Sequence, residues 1–348
     1  MREIKIGNKI IGEGKPTFII AEAGANHNRD YNMAIELIDS AAEAGADCVK
    51  FQTYSAETLY SKKTPDFKYL DGIAKQSTYD LLKSIEIPRD WQPKLKEYCD
   101  EKGIMFMSSP FDFQAIDELD EIDVPAFKIA SFEIVDLPLI RYASEKGRPL
   151  IVSTGMSNYE EMQDVYNVCR EAGNGNLILL QCASMYPAPV HISNLNSMKT
   201  IEQIFGLPSG YSDHTLGIHI PVAAVAAGAK VIEKHFTLDR KLPGPDHSFA
   251  IEPDELKDMV KFIRDTEKAM GDGRKLGPSP EEKENFEKGR RSIIAKDNIA
   301  AGEVITEERI IIKRPGYGIK PKFLDIVIGR KTKVAIEAEQ WITWDMLG

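Results

Sequence analysis

The sequence is short of several things, and each shortage excludes a class of protein. Among its 348 residues are four cysteines, Cys48, Cys99, Cys169 and Cys182, widely scattered and with no CxxC pair. They read as reduced, buried thiols of a cytoplasmic protein. No apolar run reaches the roughly 18 residues of a membrane span, and the charged start Met1-Arg-Glu-Ile-Lys-Ile6 lacks a signal-peptide core. Basic residues are in deficit, 44 Lys and Arg against 54 Asp and Glu, for a net charge of -10. That argues against a nucleic-acid binder and a basic membrane patch, but leaves room for a local pocket that takes an anion. No G-x-G-x-x-G follows the first apolar run, which weakens a doubly wound open sheet.

What is present is a regular alternation. Strand-length apolar runs stand at Thr17–Ala21, Asp47–Phe51, Ile104–Met107, Ala126–Ala130, Pro149–Ser153 and Leu177–Gln181, and two more close at His214 and His235. Helical spacing follows each run, as in the Ala- and Gly-rich stretch Leu216–Lys230 and the amphipathic Pro253–Met270. Eight such repeats over about 270 residues predict an α/β fold, a closed (β/α)8 TIM barrel spanning residues 1–270. Residues 271–290, with four glycines and ten charged side chains, read as a linker. Residues 291–348 carry short β-type runs at Ser292–Ala295, Arg309–Lys313 and Lys333–Ile336, a small, mostly-β module whose thin core is expected to dock on a partner surface. Tyr54–Tyr79 has no clear period and is long for a βα loop, which predicts a functional lid.

Side chains alternate along a strand, so Glu22, Lys50, Gln52, Lys128, Glu233 and His235 all line the barrel interior if their apolar neighbours face the helices. Burying that many ionisable groups costs several kcal/mol apiece unless they pair or bind something. The alternative is an internal salt-bridge network without a substrate. Small hydroxyls at loop starts, Ser108, Ser109, Ser131, Ser153, Thr154, Ser184 and Ser212, together with the two lysines, form a cradle for phosphate or carboxylate. His214 and His235 close adjacent strands at the same mouth and read as a divalent metal site, or else as a pair of hydrogen-bonded wall histidines.

The motifs Ile20-Ala-Glu-Ala-Gly-Ala-Asn-His27, Val49-Lys-Phe-Gln-Thr53, Phe127-Lys-Ile-Ala-Ser-Phe-Glu133, Ser153-Thr-Gly-Met156 and Tyr186-Pro187 resemble the sialic acid synthase family, as do Tyr211-Ser-Asp-His214, Ile232-Glu-Lys-His-Phe236 and Gly244-Pro-Asp-His247. Ala301-Gly-Glu303 and Lys313-Arg-Pro-Gly316 are similar to the antifreeze-like (SAF) domain those enzymes carry. The resemblance implies a transferase that condenses phosphoenolpyruvate with an N-acetylmannosamine-type sugar, giving a nine-carbon 2-keto acid and phosphate. It implies His214 and His235 as ligands of Mn2+, with Mg2+ or Co2+ as alternatives, and Glu233 as support for that site. Lys50, Lys128, Ser109, Ser131, Ser153, Ser184 and Ser212 would hold phosphoenolpyruvate, with Gln52 a further substrate-binding residue, and Glu22 would be an acid/base candidate, catalytic together with Lys50 and Lys128. Glu133, Tyr186 and Asp246 would contact the acceptor. Arg314 would reach the active site of the other subunit in a domain-swapped homodimer.

N-acetylneuraminate synthase is the first expectation, with legionaminic, pseudaminic or spore-coat sugar synthases as alternatives. Ser184 stands where several relatives have asparagine, and an asparagine that contacts the acceptor in some of them has no counterpart between Asp66 and Tyr79. Phe127-Lys-Ile-Ala-Ser-Phe-Glu133 also resembles the pseudaminic branch, whereas Gly244-Pro-Asp-His247 resembles the sialic and legionaminic one. Two rival readings are a Schiff-base aldolase using Lys50 or Lys128 and a non-catalytic sugar- or ice-binding protein.

Overall fold

The computed structural model describes residues 2–65 and 77–348. They form two compact units, one ending at Gly271 and the other running Asp272–Gly348.

The first unit opens with an antiparallel hairpin, β1 (Ile4–Ile6) and β2 (Lys9–Ile11). Then come β3 (Phe18–Gly24), β4 (Cys48–Thr53), β5 (Met105–Pro110), β6 (Phe127–Ile129), β7 (Leu150–Ser153), β8 (Leu177–Cys182), β9 (Ser209–Asp213) and β10 (Val231–His235). These make one sheet in the order β5-β4-β3-β10-β9-β8-β7-β6, with parallel pairings throughout, and β6 lies against β5 to close the barrel. The helices are α1 (Tyr31–Ala44), α2 (Ala56–Leu59), α3 (Thr78–Ile85), α4 (Gln92–Lys102), α5 (Phe113–Glu121), α6 (Leu137–Glu145), α7 (Tyr159–Glu171), α8 (Asn196–Phe205), α9 (His219–Ala226) and α10 (Pro253–Met270). Local chemistry sets their ends. The Asp30 carboxylate accepts from the Asn32 and Met33 amides at the start of α1, and Gly45, at φ 80°, stops it in the left-handed region.

The outward faces of the strands and the apolar stripes of the helices form the main core, including Leu37, Ile38, Phe51, Phe106, Ile140, Val165, Ile201 and Met259. A second apolar layer fills the lower barrel, where Ile4, Ile6 and Ile11 of the hairpin meet Phe18, Ile20, Met107, Ile151, Ile178, Leu180 and Val231. Each such isoleucine contributes about 2 kcal/mol by leaving water. The lower half of the barrel is thus apolar and capped, and ionisable side chains begin above it.

Three expectations change in detail. β9 ends at Asp213, so His214 stands one residue past the strand. The helix expected over Leu216–Lys230 shortens to α9, because Gly217 and Gly228, with φ of 73° and 111°, fall outside it. Lys333–Ile336 is not a strand: it makes isolated bridges, Ile336 to Ile299, while neighbouring Lys331 bridges to Val304. Of the expected lid, α2 and the start of α3 are described, and residues 66–76 lie outside the described residues.

In the second unit, β11 (Ser292–Ala295) pairs antiparallel with β12 (Ile310–Lys313). Its own core comprises Ile293, Ile299, Ile305, Ile319, Ile336, Ile342 and Leu347. The expected linker falls partly inside this unit and ends in a helix, α11 (Lys283–Gly289); a short α12 (Leu324–Val327) follows later. Among the described residues, no helix is long and apolar enough to cross a membrane.

Candidate active site

The upper barrel interior is built by strand register. Glu22 on β3 is paired in register with Lys50 on β4 and with His235 on β10, and Glu233 on β10 with Ser212 on β9. The pleat sends all of these inward, and the ionisable groups meet. Lys50 Nζ lies 2.6 Å from Glu22 Oε2 and 3.7 Å from Glu233 Oε2, while Lys128 Nζ lies 3.6 Å from Glu233 Oε1. The result is a buried chain of alternating charge, Glu22, Lys50, Glu233, Lys128. Hydrogen bonds fix its members: Gln52 Nε2 donates to Glu22 Oε1 at 3.0 Å, Ser212 Oγ to Glu233 Oε1 at 2.9 Å, and Lys50 Nζ to Ser109 Oγ at 3.0 Å.

The two carboxylates of this chain are not equivalent. Burial pushes Glu22 up to about 7, against the pull of Lys50 and with help from Glu233. Burial also opposes the ionised form of Glu233, but the ammonium groups of Lys128 and Lys50 outweigh it and hold Glu233 below its ordinary range. Burial opposes the Lys50 ammonium too, and Glu22 and Glu233 more than offset it, so its pKa is raised. Burial lowers that of Lys128, which has less carboxylate compensation. Two like groups pushed apart in this way divide into a permanent anion, Glu233, and a group able to exchange a proton near neutrality, Glu22.

Small hydroxyls gather around Gly155. Ser131 Oγ accepts from the Gly155 amide at 3.0 Å, and the buried hydroxyls of Ser153 and Ser184 have no hydrogen-bond partner among the described residues. An unpaired buried hydroxyl costs about 1–3 kcal/mol, a cost removed if a ligand completes the bonding. Gly155 is what lets the loop come close: a Cβ there would lie 2.1 Å from Ser184 Oγ and 2.9 Å from Ser131 Oγ.

The imidazoles of His214 and His235 face each other with ring centroids 5.4 Å apart, and the Tyr186 ring stands 4.3 Å from that of His214. His214 Nδ1 donates to the Ala183 carbonyl at 2.8 Å; burial opposes the charged ring, but Cys182 and this bond outweigh it and raise the His214 pKa. His235 Nδ1 is buried with no hydrogen-bond partner among the described residues, and Asp246 Oδ2 is 3.7 Å away. Burial, with His214 and the nearby lysines, holds His235 well below its ordinary value and therefore neutral, the ligating form. The close approach of the two rings, with His235 Nδ1 unpartnered among the described residues, suits a divalent ion completed by oxygen ligands from outside the chain. Among the described residues there is no cluster of three or more His, Cys, Asp or Glu that could hold an ion unaided.

Above the histidines a cavity of about 140 Å³ opens between Gln52, Tyr54, Tyr60, Tyr186, His235 and Asp246, with an apolar wall of Leu59, Leu82, Ile85 and Phe111. Burial raises Asp246 to about 6 and Glu133 to about 7; Glu133 Oε2 is also buried without a hydrogen-bond partner among the described residues. Gly24, at φ 53°, lies where β3 shifts register, and a Cβ there would lie 3.2 Å from Asp246 and 3.4 Å from Glu22.

The first unit thus gathers Glu22, Lys50, Gln52, Ser109, Lys128, Ser131, Glu133, Ser153, Ser184, Tyr186, Ser212, His214, Glu233, His235 and Asp246 at one end of the barrel. Arg314 belongs to the second unit, where it is exposed and borders a groove of about 660 Å³ with Lys275, Glu282 and Arg290. The sequence reading passed over Cys182, whose Sγ is 3.8 Å from His214 Nδ1; its place at the C-terminal end of a barrel strand was the available signal. It also passed over the two cradle glycines and the apolar wall, which comes partly from the aperiodic stretch after β4.

A closed (β/α)8 barrel with ionisable groups converging at the C-terminal ends of its strands is the architecture of a barrel enzyme, here joined to a small C-terminal β domain. Residues 37–275 match the NeuB family and residues 290–348 the SAF domain, so the chain belongs to the NeuB family. It is 46% identical to an uncharacterized protein of Methanocaldococcus jannaschii, over 100% of this chain and 99% of that one. It is 41% identical to the N,N'-diacetyllegionaminic acid synthase of Legionella pneumophila, over 97% of both chains. The crystal structure of N-acetylneuraminic acid synthetase from Leptospira borgpetersenii, in complex with citrate, superposes with a TM-score of 0.74 at 38% identity, covering 82% of this chain and 95% of that one.

Proposed function

We propose that this enzyme joins phosphoenolpyruvate to an acetamido sugar of the N-acetylmannosamine type, releasing phosphate and a nine-carbon 2-keto acid. The observation that carries the reading is the meeting of Lys50, Lys128 and unpaired serine hydroxyls, a built anion cradle, with the histidine pair at the same mouth. Lys128 and the hydroxyls of Ser131, Ser153 and Ser184 bind the phosphate and carboxylate and balance their charge as the phosphate leaves. C3 of phosphoenolpyruvate forms a bond to the aldehyde carbon, water adds at C2, and the C2–O bond to phosphate breaks. Glu22, poised near neutrality, passes the proton between the water and the sugar oxygen. His214 and His235 hold Mn2+, with Mg2+ or Co2+ as substitutes; when bound, such an ion supplies Lewis-acid polarisation of the aldehyde. Asp246, Glu133 and Tyr186 orient the acceptor.

The apolar wall of Leu59, Leu82, Ile85 and Phe111 favours an acceptor with more methyl and fewer hydroxyl groups. Within the family reading it supports a 2,4-diacetamido-trideoxy hexose over N-acetylmannosamine. The active protein is a homodimer in which Arg314 serves the partner's barrel. Exposed apolar side chains around the mouth, Phe132, Val135, Met156, Met185 and Leu216, support a covering partner, as does exposed Arg314. The four free, buried cysteines accord with the cytoplasm.

Phosphate release measured with Mn2+ across a panel of N-acetylated mannose derivatives and diacetamido hexoses tests the reading. Turnover is expected to need both substrates and to cease with EDTA. Activity that survives EDTA, with borohydride trapping a pyruvate adduct on Lys50 or Lys128, would replace it with the Schiff-base aldolase.

A further inference from the structure

One buried ion pair lies outside the barrel interior. Asp213 on β9 and Lys234 on β10 are register partners, and both point into the layer between sheet and helices, like their apolar neighbours Tyr211, Ile232 and Phe236. Lys234 Nζ lies 2.6 Å from Asp213 Oδ2, with the two side chains 1% and 0% exposed. The same ammonium donates to the Thr215 carbonyl, and Asp213 accepts from the Thr215 amide at 3.0 Å and hydroxyl at 3.1 Å.

Stability does not account for this pair, because replacing a buried ion pair by apolar side chains of like volume is often neutral or favourable. Its position is informative. His214 follows Asp213, His235 follows Lys234, and Thr215 is the residue just past His214. The ammonium therefore ties the exit of β9, where His214 has left the sheet's own ladder, to the last turn of the pleat before His235. We propose that the Asp213–Lys234 pair is a positioning device that sets the spacing and direction of the two imidazoles and so the affinity for the divalent ion. This rests on the reading of His214 and His235 as metal ligands.

The test is Mn2+ binding to the full-length protein without substrates, followed by the electron paramagnetic resonance of free Mn2+. D213N/K234M keeps net charge and volume while releasing the Thr215 carbonyl. It is expected to keep its circular dichroism and melting temperature while affinity falls about 10–100-fold, the usual effect of losing an outer partner of a ligand. Should it not fold, the wholly apolar D213L/K234M takes its place. Wild-type affinity in a folded variant overturns the proposal, and failure of both to fold overturns it by assigning the pair to the fold. H235A separates the underlying reading: if it binds Mn2+ like the parent, the histidines are not ligands and both ideas fall. If H235A loses Mn2+ while the folded double variant does not, the positioning role alone fails.

Discussion

Lys50 and Glu22 meet at 2.6 Å with side chains 3% and 1% exposed, and Glu233 stands on the other side of the same ammonium. One cation between two carboxylates keeps one ionised and leaves the other able to hold a proton. E22Q preserves shape and removes that exchange. It is expected to lower kcat by about 10²–10⁴ with little change in either KM, read by phosphate release at saturating substrates. An unchanged kcat would remove Glu22 from the proton path.

Glu133 gives a prediction in pH. Burial raises its carboxyl from an ordinary value of 4.5 to about 7, so between those values the folded protein binds more protons than the unfolded chain. Stability from this group therefore falls as pH rises from 4.5 to 7 and stays low above that. E133Q, never charged, is expected to be the more stable protein at pH 8 by about 2 kcal/mol, after allowance for partial exposure. The advantage should vanish near pH 4.5. Urea unfolding at the two pH values checks this, and equal differences at both would show that Glu133 is not held protonated by the fold.

Gly155 tests the anion cradle. G155A would drive a methyl group against Ser184 and Ser131, and is expected to raise KM for phosphoenolpyruvate at least about tenfold, roughly the worth of 1.4 kcal/mol. KM for the sugar should change far less. Equal increases in both would mean a general collapse of the mouth.

Much of this was legible in the residues. Polar side chains two apart in apolar runs placed Lys50 with Gln52 and Glu233 with His235, because the strand period is strict and the barrel leaves those positions one destination. Where the period was too short to register, nothing could be read. The β1–β2 hairpin consists of three-residue strands about Gly7-Asn8, and its seat under the barrel depends on contacts made far along the chain. Asp213 and Lys234 defeat parity in another way, since outward positions are expected to be apolar and the pair satisfies itself only in three dimensions. Tyr186 and Asp246 lie on loops without periodicity and Glu133 closes a single 3-10 turn, Ser131–Glu133, so only the family resemblance pointed to these residues.

Arg314 lies in the second unit, and in the proposed homodimer its role would span two chains. R314A should raise KM for the sugar more than for phosphoenolpyruvate. Combined with E22Q subunits, it should regain activity from about one working site per heterodimer, because each partner supplies what the other lacks. Verified heterodimers without turnover would show that the arginine does not act across subunits.

The hairpin under the barrel has a kinetic consequence. With Ile4, Ile6 and Ile11 packed against the lower strand ends, the barrel is a cup with a single rim. On the proposed function, phosphoenolpyruvate on Lys50 and Lys128 is expected to enter before the sugar settles by Tyr186 and Asp246, because a cup fills from the bottom. On that reading the product lying deepest would leave last, and the floor of the fold would order the arrivals and departures above it.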